Sequence, residues 1–145
     1  MPNEASAGAT RLARPEDVPA LVRIRAAVRE NRLSDPARVP ASLVLRYIER
    51  GLIHVLDEGG SVLGFSAAEP DDGTIWALFV DPDAEGRGIA RALLPLALDD
   101  LKRAGWSEAR LTTQPGSRAE RFYRLAGWTA LGISAAGERI FVRSL

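Results

Sequence analysis

Two glycines separated by one residue form the part of this sequence best suited to chemistry. Gly86 and Gly88 follow an apolar stretch typical of a strand, Ile75 to Val80, and they precede a run with helical spacing. A helix start leaves backbone N–H groups unpaired at the positive end of the helix dipole, and glycine lets a bulky anion approach them closely. The spacing therefore predicts a phosphate or pyrophosphate site.

Two common phosphate-binding loops do not fit this segment. A P-loop requires a lysine and a hydroxyl residue after its last glycine, whereas Gly88 is followed by Ile89. A Rossmann fingerprint requires a third glycine, where this sequence has Arg91, and it follows the first strand of a βαβ unit. Here the segment comes late in the chain, after several short strands joined by hairpin-like turns. The loop therefore belongs to another kind of site.

The composition excludes several kinds of chemistry. The chain has 145 residues, with 19 basic and 19 acidic side chains, one histidine and no cysteine. Disulfides, thiolate metal sites and cysteine nucleophiles are therefore excluded, and His54 alone cannot form a histidine-rich metal site. The zero net charge argues against nucleic acid and against a polybasic membrane contact, and no apolar run approaches the roughly 20 residues of a membrane span. We expect a cytoplasmic protein that uses no metal.

The hydrophobic periodicity predicts helices and strands that alternate around the loop. Residues 1–9 are expected to form a flexible tail and residues 10–145 one domain, with the order β-α-α-β-β-β-α-β-α-β-β. The predicted strands are Thr10–Ala13, Leu52–Leu56, Ser61–Glu69, Thr74–Val80, Ala109–Thr113, Thr129–Ile133 and Arg139–Arg143. The predicted helices are Pro15–Glu30, a segment around Leu43–Ile48, Gly88–Ala104 and Arg118–Ala126. Pro95 is expected to cause a kink or a slightly irregular turn in the third helix without ending it.

Two segments resemble the GCN5-related N-acetyltransferase (GNAT) superfamily. The first contains Val80-Asp81-Pro82 and Glu85-Gly86-Arg87-Gly88-Ile89-Ala90, and it is similar to the family's Val-x-Pro and Gln/Arg-x-x-Gly-x-Gly/Ala signature. The second, from Ala119 to Trp128, is similar to the family's Ala-x-x-Phe-Tyr-x-x-x-Gly-Phe segment. Together with the element order, the resemblance implies an α/β fold over about residues 10–143. Its central sheet is mixed and mostly antiparallel, with about seven strands and about four flanking helices.

The resemblance implies direct transfer of an acetyl group from acetyl-CoA to a primary amine in a ternary complex. The strand Thr74–Val80 is expected to run parallel to Ala109–Thr113 and to diverge from it, so that its exposed backbone pairs with pantetheine. The pyrophosphate is expected on the backbone of Glu85–Ala90. The residues expected to bind acetyl-CoA are Leu78, Phe79, Val80, Glu85, Gly86, Arg87, Gly88, Ile89, Ala90, Arg91, Gly116, Ala119 and Phe122.

Two residues are predicted to be catalytic, Tyr123 and Glu69. Tyr123 stands where the family has a general acid that protonates the departing thiolate, and a phenol and a thiol have pKa values close enough for this. The attacking amine must be neutral, so a carboxylate or a water chain must take its proton. Glu69, at the end of a central strand, and Glu30, at the end of the first helix, are the candidates.

Two positions depart from the family's pattern. Glu85 stands where glutamine or arginine is usual, which places a negative charge beside the expected pyrophosphate, and Arg87 and Arg91 are expected to offset it. Gly116 stands where the second segment often has an asparagine that contacts the pantetheine arm or orders the loop. Gln114 and Ser117 are the candidates to take over that role.

The acceptor is not determined by the sequence. The regions expected to select it, Arg29–Leu33 and Glu69–Asp72, carry both signs of charge and match no particular class of amine. A homodimer through exposed strands is also open. Two other classes of function remain: a non-catalytic acyl-CoA-binding module that acts as a sensor or interaction domain, and a nucleotide-binding protein without thioester chemistry.

Overall fold

A mixed β-sheet forms the centre of the molecule. The computed structural model describes residues 8–28 and 40–145, and within them the sheet has seven strands in the order β1-β2-β3-β4-β5-β7-β6. The strands are β1 (Ala9–Leu12), β2 (Ile53–Glu58), β3 (Ser61–Glu69), β4 (Thr74–Val80), β5 (Glu108–Thr113), β6 (Thr129–Ile133) and β7 (Arg139–Ser144). Neighbouring strands are antiparallel except β4 and β5, which are parallel. The predicted sheet is confirmed.

Four α-helices of the described chain cover the two faces of the sheet. They are α1 (Val18–Ala27), α2 (Ala41–Glu49), α3 (Ile89–Arg103) and α4 (Arg118–Leu125). One core cluster joins α1 and α2 to the sheet through buried side chains such as Leu21, Val44 and Phe65. A second cluster joins α3 and α4 to the other face, where Leu101 and Phe141 are fully buried. The sheet thus has helices on both faces, and the predicted sheet with about four flanking helices is confirmed.

The first predicted helix, Pro15–Glu30, differs in detail from the structure. The chain after Arg14 forms a 3₁₀ turn, Pro15–Asp17, before α1 begins at Val18. Leu21 and Ile24 are the buried side chains of α1, whereas Val22 is 39% exposed. The predicted end of this helix at Glu30, and with it Glu30 as a candidate base, lies outside the described residues.

Pro95 lies within α3, which is assigned as helix from Ile89 to Arg103 without interruption. Proline lacks the N–H that would bind the carbonyl of Arg91. Pro95 itself is exposed, while Leu94 and Ala97 on either side are buried. The unpaired carbonyl group is therefore near the solvated side of the helix, where water can bind it, and the helix continues.

The central strands diverge where a site can form. In the described chain β4 and β5 pair at one position, Thr74 with Arg110, near the amino end of β4. On its other edge β4 has an extra residue, because Ala67 pairs with Ala77 and Ala68 with Ile75, which leaves Trp76 unpaired. Such a β-bulge bends and twists a strand. The predicted parallel pairing and divergence of β4 and β5 are confirmed.

The amino-terminal half of α3 packs closely on β3. A Cβ atom at Gly64 would lie 2.9 Å from the carbonyl oxygen of Phe79 and 3.0 Å from Cγ2 of Ile89, so glycine is needed for this close approach. The fully buried Ser66 donates a hydrogen bond from Oγ to the carbonyl oxygen of Leu93, at 2.9 Å. These contacts fix the start of α3, and with it the glycine loop.

Candidate active site

A cavity of about 550 Å³ lies in the gap between β4 and β5. Residues 75–80 of β4 line one side, and residues 111–114 of β5 and the following turn line the other. The glycine loop and the start of α3 line one end, together with the first turns of α4. Because β4 has no strand partner along most of this edge, its backbone N–H and C=O groups can pair with an extended ligand.

The glycine loop has the geometry of an anion site. Gly86 and Gly88 have φ angles of +82° and +80°, a left-handed conformation that other residues rarely adopt. The first α-helical hydrogen bond runs from the N–H of Ala92 to the carbonyl oxygen of Gly88, so the preceding N–H groups at the helix start have no intrahelical acceptor. A Cβ atom at either glycine would meet no atom within 4 Å. The loop thus offers backbone donors and open space for a pyrophosphate.

The charged residues of the loop point to different partners. Arg87 Nη2 lies 2.6 Å from Glu58 Oε2 in β2, and Arg87 is absent from the cavity lining. Glu85 lines the cavity and forms an ion pair with Arg118, the first residue of α4. Arg91 also lines the cavity, and its guanidinium has no ion pair within residues 8–28 and 40–145. Arg91 and Arg118 are thus the positively charged side chains that line the cavity.

Tyr123 lies in α4 and contributes to the cavity wall. Its ring packs edge-on against Phe122 and Trp128, with centroid distances of 5.2 and 5.3 Å, and it is 6% exposed. Burial raises the pKa of its hydroxyl above the ordinary value of 10.0. No residue of the described chain forms a hydrogen bond with this hydroxyl. The hydroxyl is therefore protonated at neutral pH and available as a hydrogen-bond donor.

The turn before α4 is ordered by its own helix cap. Ser117 is the N-cap residue, and its Oγ accepts a hydrogen bond from the N–H of Glu120 at 3.1 Å. The Glu120 carboxylate in turn accepts from the N–H of Gly116 at 2.7 Å and from Arg139 Nε at 2.8 Å. The Gly116 bond, followed by that of Arg139, lowers the pKa of Glu120. Ser117 and Glu120 thus order the turn where an asparagine is often found.

Sequence reasoning missed Glu120, although a recognisable signal was present. The four residues from Ser117 to Glu120 match the Ser-x-x-Glu capping box, in which the two side chains bond reciprocally to the backbone of the first turn. Here the glutamate reaches the N–H one residue before the cap. Gly116 itself is absent from the cavity lining, so its predicted contact with acetyl-CoA stays a prediction.

Glu69 lies outside the cavity lining and is held by other groups. Its carboxylate accepts a hydrogen bond from the Tyr47 hydroxyl and another from the N–H of Asp71 at 3.0 Å, and it lies 3.5 Å from Arg50 Nη1. Burial acts to raise the pKa of Glu69, but the Tyr47, Asp71 and Arg50 contacts outweigh it and leave the pKa lowered. The structure does not bring Glu69 and Tyr123 together in one cavity wall.

Most residues predicted to bind acetyl-CoA do line this cavity. The residues of the prediction that line it are Leu78, Phe79, Val80, Glu85, Gly86, Gly88, Ile89, Ala90, Arg91, Ala119 and Phe122. Trp76 and Thr113 line it as well and were not predicted as site residues. The Thr113 hydroxyl is buried without a hydrogen-bond partner in the described residues. Exposed and buried residues alternate along β5, and this alternation could have placed Thr113 on the buried side from the sequence alone.

The fold and site agree with the comparisons with known proteins. The sequence model of the acetyltransferase (GNAT) family matches residues 21–128. The structure is similar to that of ribosomal-protein-alanine N-acetyltransferase from Brucella melitensis, with a TM-score of 0.78, 20% identity, and 94% of this chain and 99% of that chain covered. It is also similar to PaiA N-acetyltransferase from Thermoplasma acidophilum in complex with coenzyme A, with a TM-score of 0.77, 16% identity, and coverage of 94% and 98%.

The chain belongs to the acetyltransferase (GNAT) family, whose model matches most of its length. The predicted family is therefore confirmed. Among curated proteins it is 34% identical to mycothiol acetyltransferase from Beutenbergia cavernae over 87 residues, which are 58% of this chain and 29% of that protein. The chain therefore spans less than a third of the length of this relative.

Two further properties concern the described part of the chain. No helix there is long and apolar enough to cross a membrane. Nor do residues 8–28 and 40–145 contain a group of three or more histidine, aspartate or glutamate side chains that could hold a metal ion. His54 Nε2 instead lies 2.8 Å from Asp100 Oδ2 and links β2 to α3.

Proposed function

We propose that the chain transfers an acetyl group from acetyl-CoA to a primary amine, by direct transfer in a ternary complex. The observation that carries the proposal is the cavity between the diverging strands β4 and β5. This cavity joins an anion-binding loop, an unpaired strand edge and a buried phenol in one continuous wall. A pyrophosphate, an amide-containing arm and a thioester require these three features in this order.

The binding roles follow from the groups available. The N–H groups of the glycine loop and of the start of α3 bind the pyrophosphate, and the helix dipole favours its negative charge. The edge of β4 from Leu78 to Val80 pairs with the pantetheine amides as an additional strand would. Ala119 and Phe122 of α4 pack against the arm from the other side. The thioester is thereby held near Tyr123, which supplies the positional part of catalysis.

The reaction requires one proton to leave the amine and one to reach the sulfur. The neutral amine nitrogen attacks the thioester carbonyl carbon, the C–N bond forms and the C–S bond breaks. The Tyr123 hydroxyl stabilises the departing thiolate by hydrogen-bond donation, with proton transfer completing the step. Because burial raises the pKa of Tyr123, hydrogen bonding costs less than early and complete proton transfer. Catalysis by the phenol therefore depends on its position beside the sulfur.

The proton of the attacking amine needs an acceptor of its own. Glu69 stays the predicted base, although it does not line the cavity: its carboxylate accepts a hydrogen bond from Tyr47, whose ring stacks on the lining residue Trp76 at 4.2 Å between centroids. A water molecule beside the amine would serve as well, since the cavity is partly open to solvent. The predicted cytoplasmic location and homodimer likewise stay predictions.

The acceptor is proposed to be an amine on a small molecule or peptide. The relatives support acetyl transfer but differ in their acceptors, since one is named for mycothiol and another for the alanine of a ribosomal protein. Trp76 and Phe79 give the cavity an aromatic wall, and Arg25 of α1 lies over the Phe79 ring at 5.6 Å from its centroid. An acceptor with an apolar or ring-containing body next to its amine fits this wall.

A pair of glycine variants tests the pyrophosphate site. Gly88 and Gly105 stand at the two ends of α3, both with positive φ, and at both a Cβ atom would meet nothing within 4 Å. Leucine at either position therefore costs a similar backbone strain, about 1–2 kcal/mol. We expect Gly88→Leu to weaken acetyl-CoA binding by at least about 100-fold in calorimetry, or about 2.7 kcal/mol, while Gly105→Leu leaves it unchanged. Equal affinities of the two variants would contradict the proposed site.

A thiol-release assay with acetyl-CoA and a panel of amines tests the transfer itself. The panel contains an aminoglycoside, an alanyl peptide, free amino acids and polyamines. Release that depends on an amine supports the enzyme, whereas tight acetyl-CoA binding without release across the panel favours the sensor. Stabilisation by ATP or NAD in place of acetyl-CoA in a thermal-shift assay would favour the nucleotide-binding alternative.

A further inference from the structure

An ion pair joins the two sides of the cavity at the phosphate end. Glu85 belongs to the loop after β4, and Arg118 is the first residue of the helix after β5, so the two lie on opposite sides of the gap between these strands. A guanidinium nitrogen of Arg118 contacts the Glu85 carboxylate, and both residues line the cavity. The pair therefore stands where the pyrophosphate is to bind.

The surrounding charges make this pair a competitor of the ligand. Arg87 is engaged with Glu58 outside the lining, which leaves Arg91 and Arg118 as the cations in the wall. As long as Arg118 binds Glu85, half of this positive charge is compensated. A pyrophosphate entering the loop also meets the negative charge of Glu85 directly. The cavity wall at the phosphate end thus contains both a cation that suits the ligand, Arg118, and an anion that opposes it, Glu85.

The pair is weak enough to exchange. The side chains of Arg118 and Glu85 are 60% and 37% exposed, and ion pairs between solvent-exposed side chains contribute little to stability. A guanidinium–phosphate contact is charge-assisted and can be bidentate, which makes it stronger than the bond it replaces. A rotation of the Arg118 side chain changes its partner without moving the backbone of the capped α4.

We propose that Arg118 is a cosubstrate-binding residue that exchanges Glu85 for the CoA pyrophosphate, and that Glu85 limits the affinity for CoA. The proposal rests on the acetyl-CoA site proposed above. Glu85 weakens CoA binding in two ways, since it holds Arg118 in the free protein and repels the phosphates in the complex. It thereby favours release of the product CoA, which otherwise shares every contact of the substrate except those of the acetyl group.

Calorimetry with CoA tests the exchange without relying on turnover. We expect Arg118→Gln to raise the Kd for CoA by about tenfold, the loss of one charge-assisted contact. Glu85→Gln is expected to lower the Kd by about three- to tenfold. In the Glu85→Gln background, Arg118→Gln should raise the Kd for CoA by a larger factor than it does in the wild type, because in that background Arg118 has no ion pair with Glu85 to break before it binds CoA. Arg121→Gln removes the same charge from the exposed side of α4 and is the control, with at most a twofold change.

The outcomes separate this proposal from the proposed function. If the wild type does not bind CoA, the site itself is refuted. If the wild type binds CoA but Glu85→Gln binds equally or more weakly, or if Arg118→Gln matches Arg121→Gln, the exchange is refuted and the site remains. The same series of variants measured with 3′-dephospho-CoA should give the same ratios of variant Kd to wild-type Kd. Ratios that disappear with that ligand would assign Arg118 to the 3′-phosphate and overturn the pyrophosphate contact.

Discussion

The chain contains two tyrosines, and their surroundings on opposite faces of the sheet differ in one decisive respect. Tyr47 of α2 and Tyr123 of α4 are 8% and 6% exposed, and the pKa of each is raised. For Tyr47 the causes are burial and then the hydrogen bond to Glu69, whereas for Tyr123 burial is the cause. The proton of Tyr47 is thus committed to a carboxylate, and that of Tyr123 is available to a ligand.

The comparison shows that a raised pKa does not by itself identify a catalytic phenol. Tyr47 stacks on Trp76 with an interplanar angle of 18°, and Arg50 lies over its ring, so its contacts are those of a structural residue. Tyr123 packs among aromatic rings and lines the cavity with a hydroxyl that no described residue binds. The availability of the proton next to the cavity, rather than its acidity, distinguishes the two.

The largest expected effect is on turnover. Tyr123→Phe should lower kcat by about 10²-fold, because the departing thiolate loses its hydrogen-bond donor. The Kd for acetyl-CoA should change little, since the ring and its packing remain, and kcat and kcat/KM should fall together. Tyr47→Phe is the matched control and should keep kcat within about threefold. Full turnover of Tyr123→Phe on its own acceptor, with chemistry rate-limiting, would make Tyr123 a packing residue.

On stability the two variants should rank in the opposite order, with the larger effect from Tyr47→Phe. Tyr47→Phe should lower the free energy of unfolding by about 1–3 kcal/mol, because it removes a donor from the charged Glu69 carboxylate in a partly buried site. Tyr123→Phe should change it by less than about 0.5 kcal/mol, because the hydroxyl that is lost has no partner among the described residues. Urea unfolding of the two variants decides the matter. A larger loss in Tyr123→Phe would mean that its hydroxyl has a structural partner after all.

The cosubstrate side of the site was predictable because it is local in the sequence. The glycine loop, the strand before it and the Phe122-Tyr123 segment each lie within one short stretch, and Ser61–Glu69 and Thr74–Val80 were predicted with their observed bounds. Helix ends shifted by a few residues, as at Val18, because the 3₁₀ turn Pro15–Asp17 is distinguished from an α-helix by hydrogen bonding rather than by apolar spacing.

The tertiary partners could not be predicted in the same way. The Glu85–Arg118 pair joins residues that are far apart in the sequence, and nothing in the spacing indicates which of the arginines reaches the loop. The capture of Glu69 by Tyr47 requires α2 to pack on the end of β3, which also depends on tertiary packing. The β-bulge at Trp76, whose ring stacks on Tyr47, has no signal in the sequence either, because β4 is apolar from Ile75 to Val80 and shows no alternation that a bulge would interrupt.

The smallest expected effect is a pH dependence of stability that arises from the Glu69 carboxylate, which accepts the hydrogen bond of Tyr47. The pKa of Glu69 is lower in the folded chain than its ordinary value of 4.5, so the folded state favours the ionised form. Glu69 therefore stabilises the fold fully above about pH 4.5, and this contribution is lost as the pH falls through the lowered pKa. Tyr123 contributes no such dependence in this range, because its proton is retained in both states.

The variant Glu69→Gln isolates that contribution, since glutamine keeps the shape and lacks the charge. We expect the wild type to exceed Glu69→Gln in unfolding free energy by about 1 kcal/mol at pH 6, and the difference to shrink towards pH 3. Chemical unfolding at several pH values measures it, and a difference that grows on acidification would contradict the lowered pKa.

The same variant, Glu69→Gln, tests the predicted base. A loss of kcat of about 10²-fold, together with loss of the acid limb of the pH–rate profile, would support it. An unchanged kcat with the expected stability profile would leave Glu69 as the partner that fixes Tyr47 and assign the proton of the amine to water.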